Sequence, residues 1–204
     1  MREKSTEDRF FINIIDTQIP EIDTDKPIVI FIDGVGTTRN RKEHDLLDER
    51  FGDSMMKAAM QMCENVPCRI YQISDEISII VDDVKKFARN IGASYCTHDE
   101  LSSLAAQAFV PVFCSSYGKS VRFHIRIHSI APEDRDRYIA WRKTYVRNAV
   151  YTYFAIRSGV WRRAYSDYDE DEIKQVLRRA GLSEKLKDIK RFVDGREYIS
   201  ESCS

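Results

Sequence analysis

The chain has 204 residues, 43% hydrophobic and 32% charged, with 32 Lys and Arg against 33 Asp and Glu. That length buries a core without disulfide staples, and the composition excludes a disordered chain. A formal net charge of −1 excludes a polycation that coats nucleic acid, so any such binding has to come from a local patch.

No apolar run approaches the roughly 20 residues that span a bilayer. The opening MREKSTEDRF is charged and has no apolar h-region, so a cytoplasmic protein with no membrane partner is expected. Cys63, Cys68, Cys96, Cys114 and Cys203 form no CxxC pair and read as free thiols in a reducing compartment. The four histidines do not cluster with them at ligand spacing, which argues against structural zinc.

Residues 1–26 are mostly polar, with one apolar cluster (FFINII, 10–15), and suggest an arm or an edge strand. Pro27–Asp33 (PIVIFID) is a nearly continuous β-branched run and reads as a buried central strand. After the polar loop GVGTTRNRKEHD, Leu47, Phe51, Met55, Ala59 and Met62 recur at helical spacing over about residues 46–64. Asn65 and Pro67 end that helix. Cys68–Ile73 (CRIYQI) and Ile77–Val81 (ISIIV), joined only by SDE, predict a β-hairpin. Leu101, Leu104, Ala105, Ala108, Phe109, Val112 and Phe113 mark a second helix, with a kink expected at Pro111.

Val121–Ile127 (VRFHIRI) alternates as a half-buried strand does. Pro132, followed by Glu133 and Asp134, starts a helix expected to run to about Arg157 and stop before Gly159. Residues 169–180 and 183–192 read as two short helices separated by Gly181. The order β-α-β-β-α-β-α plus a tail is the split βαβ (ferredoxin-like) plan of the α+β class. It implies a mainly antiparallel sheet with helices on one face and a small helical C-terminal tail. The expected organisation is an N-terminal arm (1–26), one main domain (27–165) and a helical extension (166–204).

Asp33 ends the first strand, and Ser74, Asp75 and Glu76 sit at the hairpin tip. If the strand and the hairpin are sheet neighbours, these carboxylates converge, which is costly unless a cation joins them. Hard oxygen ligands suit Mg²⁺, and two such ions can serve phosphoryl transfer. Gly34 and Gly36 would let backbone N–H groups approach a triphosphate. The same residues also suit an ordinary Asp-Gly turn and a solvated hairpin tip, so the spacing leaves both readings open.

From Arg137 to Arg163 the chain carries seven cations, among them Arg142 and Arg147, and no acid. Tyr138, Trp141, Tyr145, Tyr151, Tyr153, Phe154 and Trp161 are interleaved. Such a mixture suits an RNA or nucleotide surface, and equally an amphipathic helix whose rings are core. His44, His98, His124 and His128 read as structural, and no Ser or Cys sits in a nucleophile elbow. Asp134-Arg-Asp136 and the acids of residues 167–172 read as solvated helix ends.

Four segments in order resemble the tRNA-His guanylyltransferase family of 3′–5′ nucleotide-adding polymerases. They are PIVIFIDGVGTT, the hairpin YQISDEISII, Phe123-His-Ile-Arg126, and IAWRKTYVRNAVYTYFAI, which together cover about residues 27–160. The resemblance implies a polymerase-palm-like sheet with two Mg²⁺ ions and GTP or ATP as substrate. Asp33 and Asp75 would ligate both metals and the Gly34 carbonyl one, with Glu76 tuning the site. Backbone from Asp33 through Val35, Gly36 and Thr37 to Thr38 would wrap the triphosphate, with Ser74 helping and Arg126 touching phosphate. Arg142, Arg147 and Asn148 would face RNA, most naturally a tRNA, and a homo-oligomer is implied.

The chain differs from the family where a His and an Asn are expected, at Val146 and Thr152. It also has Phe31 where a basic residue is expected two positions before Asp33. Those differences keep two other functions in view: a palm-fold nucleotide cyclase or signalling-nucleotide synthase, and a non-catalytic RNA- or protein-binding module.

Overall fold

A computed structural model describes residues 10–12, 21–35, 49–157, 170–181 and 195–200. Five strands, β1 (Ile28–Gly34), β2 (Cys68–Ile73), β3 (Glu76–Val81), β4 (Phe123–Ser129) and β5 (Arg196–Ser200), form one sheet in the order β4-β1-β3-β2-β5. Every neighbouring pair is antiparallel. The helices are α1 (Glu49–Met62), α2 (Val84–Ile91), α3 (His98–Tyr117), α4 (Arg135–Arg157) and α5 (Glu170–Arg179), with a 3₁₀ turn at Pro132–Asp134 before α4. The first four strands thus follow the split βαβ plan, with β1 inserted between β4 and the β2–β3 hairpin.

Alternation along the strands gives the sheet two buried faces. Ile28, Ile30 and Ile32 of β1 join Ile77 and Ile79 of β3 and Ile70 of β2 against Phe51, Met55 and Ala59 of α1 and Phe109 and Phe113 of α3. Phe51 and Phe113 meet edge to face at 4.9 Å, and Phe113 meets Phe123 of β4 at 4.8 Å. On the opposite face the Tyr138 hydroxyl of α4 shares a 3.0 Å hydrogen bond with Ser78 of β3. Tyr138 is fully buried. α4 therefore covers the face that α1 and α3 leave. Phe11 is also fully buried and stacks on Trp141 of α4 at 5.2 Å; residues 10–12, the described part of the N-terminal apolar cluster, are helical and not an edge strand.

The structure differs from the sequence reading in three further places. Helix α2 is additional: Asp83 caps it by accepting the Lys86 N–H at 2.8 Å, and Gly92 ends it at φ +81°. Val84, Phe87, Ala88 and Ile91 recur on one face, and the first three are buried. Replacing Asp83 with Ala leaves an orphan donor at that terminus and is expected to lower stability by about 1 kcal/mol, read as a shift in the urea midpoint. Helix α3 extends from His98 through Pro111 to Tyr117, longer at both ends than the apolar positions 101–113 that mark it in the sequence. The C-terminal segment is not purely helical, because its last described residues return to the sheet as β5.

Glu197 of β5 hydrogen-bonds Arg69 of β2 and takes Lys143 of α4 at 3.1 Å, which ties the new strand to both neighbours. The helix expected at 183–192 and the loop residues Gly36, Thr37 and Thr38 lie outside the described residues. No helix among the described residues is long and apolar enough to cross a membrane.

Candidate active site

The register of the sheet brings the three acids together. Asp33 lies directly opposite Glu76 across the β1–β3 pair and opposite His124 across the β1–β4 pair. Glu76 is the first residue of β3, so the hairpin connection is only Ser74-Asp75, with Ile73 opposite Glu76. Ser74 takes φ +56° to make that turn. The turn is fixed from three sides. Gly34 donates its N–H to the Asp75 carbonyl at 3.0 Å. Gln72 donates its amide to the Ser74 carbonyl at 2.8 Å, and the Ser74 hydroxyl donates to the Asp75 carboxylate at 3.0 Å. Gly52 of α1 lets the helix approach Gln72: a Cβ there would stand 3.0 Å from the side-chain oxygen.

These acids repel one another in a partly dry corner. Burial, followed by the charges of Glu76 and Asp75, pushes Asp33 from 3.8 up to about 8, against the pull of Arg142 and Arg126. Glu76 is also raised, first by burial and then by Asp75, while Arg142 pulls it down. Ionising Asp33 therefore costs the fold as pH rises from about 4 to about 8. Asp33→Asn removes this cost. In EDTA the variant's advantage in melting temperature is expected to widen between about pH 5 and about pH 8, at no more than about 1.4 kcal/mol per unit. A constant difference would contradict that electrostatic picture.

Arg142 is the partner that sequence reasoning missed. Only 3% exposed, it hydrogen-bonds Glu76 and lies over the Phe31 ring at 4.7 Å and the Trp141 ring at 5.2 Å. Expected on an RNA surface, it is instead committed to the sheet face beneath α4. Tyr138 and Arg142 stand four residues apart and so share that face. Phe31, anomalous where a basic residue was expected, supplies the ring on which the guanidinium rests. Arg147 is half-buried on the same helix, and the side chain of Asn148 is outside the description.

The proposed phosphate wrap needs a similar correction. The N–H of Gly34 is occupied by Asp75, and that of Val35 by the Arg122 carbonyl at 2.7 Å. A triphosphate would have to take its backbone donors from Gly36 onward. Arg126 stands opposite Phe31 on β4, close enough to Asp33 to act on its charge.

No group of three or more metal-ligating side chains occurs among the described residues. The carboxylates of Asp33 and Asp75 are hard-oxygen donors, of the chemistry that would suit Mg²⁺ were substrate phosphates to supply the remaining ligands.

A mainly antiparallel palm-like sheet with acids at adjoining strand ends defines the structural class. No protein-family model matches the chain, and no curated protein matches it in sequence. Solved structures of that class do match in fold. A bacterial tRNA(His) guanylyltransferase-like protein in complex with ATP is 16% identical with a TM-score of 0.62, covering 97% of this chain and 86% of that one. A bacterial tRNA(His) guanylyltransferase-like protein in complex with GTP is 18% identical with a TM-score of 0.63, covering 97% and 85%. The tRNA(His) guanylyltransferase of Saccharomyces cerevisiae is 15% identical with a TM-score of 0.63, covering 96% and 93%. The chain therefore shares the palm fold of the tRNA(His) guanylyltransferase-like proteins over almost its whole length.

Proposed function

We propose that the chain is a magnesium-dependent nucleotidyltransferase that adds a nucleotide to the 5′ end of an RNA in the 3′–5′ direction. The observation that carries this reading is the convergence of Asp33, Asp75 and Glu76 at one corner of the sheet, on a fold shared with proteins solved in complex with ATP and GTP. Fold likeness alone would leave the function open; the acid cluster supplies the chemistry.

Asp33 and Asp75 would hold Mg²⁺ with help from the Gly34 carbonyl. When bound there, Mg²⁺ would supply charge neutralisation on the phosphates and a lowered pKa for an attacking hydroxyl. Asp75 can do this because Ser74 and Gly34 fix its carboxylate and its carbonyl. Glu76 faces Arg142, so its task is orientation and charge balance. Arg126 approaches from β4 as the phosphate cation. The low exposure of Asp75 and Arg142 keeps bulk water from the inner side of the corner.

Incubation of the protein with radiolabelled GTP or ATP, Mg²⁺ and a 5′-monophosphorylated tRNA tests the reading. Label is expected to join the RNA 5′ end. Pyrophosphate release with no RNA present would instead favour a nucleotide cyclase or signalling-nucleotide synthase. Absence of both reactions would leave a binding module.

A further inference from the structure

The acceptor needs a seat beside the acid corner, and α4 no longer offers Arg142 for it. Between Leu101 and Pro132 the sequence contains no Asp or Glu, while Lys119, Arg122, His124, Arg126 and His128 fall within that span. Strand β4 carries most of these residues and is an edge of the sheet, with β1 as its only strand neighbour among the described residues. His124 lies directly opposite Asp33, and Arg126 opposite Phe31. Arg122 precedes the strand by one residue, but its carbonyl bond to Val35 continues the ladder through it.

By the two-residue alternation, Arg122, His124 and Arg126 fall on the same sheet face as Asp33. Successive members of the row stand about 6.7 Å apart along the strand. Arg122 and His124 are exposed and Arg126 is half-buried. The row therefore runs along the edge strand and passes the acid corner at His124.

We propose that Arg122 and His124 form a track that seats the phosphodiester backbone of the acceptor's single-stranded 5′ end, with Arg126, beyond Asp33 on the same row, left to the phosphate of the nucleotide. The inference rests on the nucleotidyltransferase reading above and adds to it the position of the RNA. Charge complementarity commits the occupant. The row offers guanidinium and imidazole donors at regular intervals, without intervening acids, as a chain of phosphates requires. The track binds backbone and reads no base, so its contribution is independent of sequence and sensitive to salt. Because His124 lies opposite Asp33, an RNA 5′ end entering along Arg122 brings its terminal phosphate beside the acids at His124.

The test uses the full-length protein and an RNA hairpin with a short single-stranded 5′ extension. Binding is followed by fluorescence anisotropy across a range of salt concentrations. The double variant Arg122→Ala/His124→Ala is expected to bind about tenfold more weakly and to flatten the log K against log salt slope by about 1. Arg122→Lys/His124→Lys is expected to restore both. Those two results support the track. A wild-type protein that does not bind the hairpin, a double alanine variant with unchanged affinity and slope, or equal capture of a polyglutamate peptide would each overturn it. Magnesium-dependent GTP binding by the wild-type protein is measured alongside. Its absence with RNA binding intact would remove the enzymatic reading and leave the track standing.

Discussion

Asp75→Asn is expected to slow nucleotide addition by at least about 10³-fold, a loss of about 4 kcal/mol of transition-state stabilisation. Asp75 is 8% exposed and sits on a two-residue turn whose backbone is held by Gly34 and Gln72. Asparagine keeps the size of the side chain and an oxygen to accept the Ser74 hydroxyl, so the turn persists. What disappears is one negative charge of the donor set. Single-turnover assays with labelled GTP, together with a thermal melt to show an intact fold, measure the effect. Activity within about threefold of wild type would remove Asp75 from the metal site.

Arg142→Met is expected to cost about 3 kcal/mol of stability, a fall of about 10 °C in melting temperature for a chain of this size. Burial opposes the charge on Arg142, and Glu76, Tyr138 and Tyr145 offset that enough to hold the guanidinium above its ordinary value. Removing it leaves Glu76 facing Asp33 and Asp75 with no cation against its side chain. The double variant Arg142→Met/Glu76→Gln removes both charges and is expected to recover most of the loss, since a matched apolar replacement of a buried pair is often neutral. Calorimetric melts of the two variants check this. A single variant melting within about 2 °C of wild type would mean that the pair contributes little.

Much of the fold was legible because its core segments are locally consistent. The isoleucine-rich β1, the CRIYQI and ISIIV hairpin and the Phe109–Phe113 helix each carry their own period. Helix α2 also announced itself, with Asp83 three residues before Lys86, an apolar face and a terminal Gly92. Its signals sit between two stronger features, the β2–β3 hairpin and the apolar helix α3. Strand β5 gave little local signal. REYIS is short and mostly exposed, and its pairing depends on Glu197 meeting Arg69, 128 residues away in sequence.

The candidate site shows the same division. Asp33, Asp75 and Glu76 could be placed together because a strand end and a hairpin tip are sequence features. In the sequence Arg142 looks solvent-facing, because a basic residue among aromatics carries no mark of the carboxylate it will meet. Its partner lies 66 residues earlier. Gly34 and Val35 likewise looked available to phosphate until the ladder consumed their N–H groups.

Isothermal titration of GTP and ATP into the purified protein, with Mg²⁺ and then with EDTA, tests the acid corner most directly. Saturable triphosphate binding that requires Mg²⁺ and vanishes in Asp75→Asn is expected. Binding of equal strength in EDTA, or magnesium-dependent binding that survives in Asp75→Asn, would contradict a metal–triphosphate site at Asp33 and Asp75.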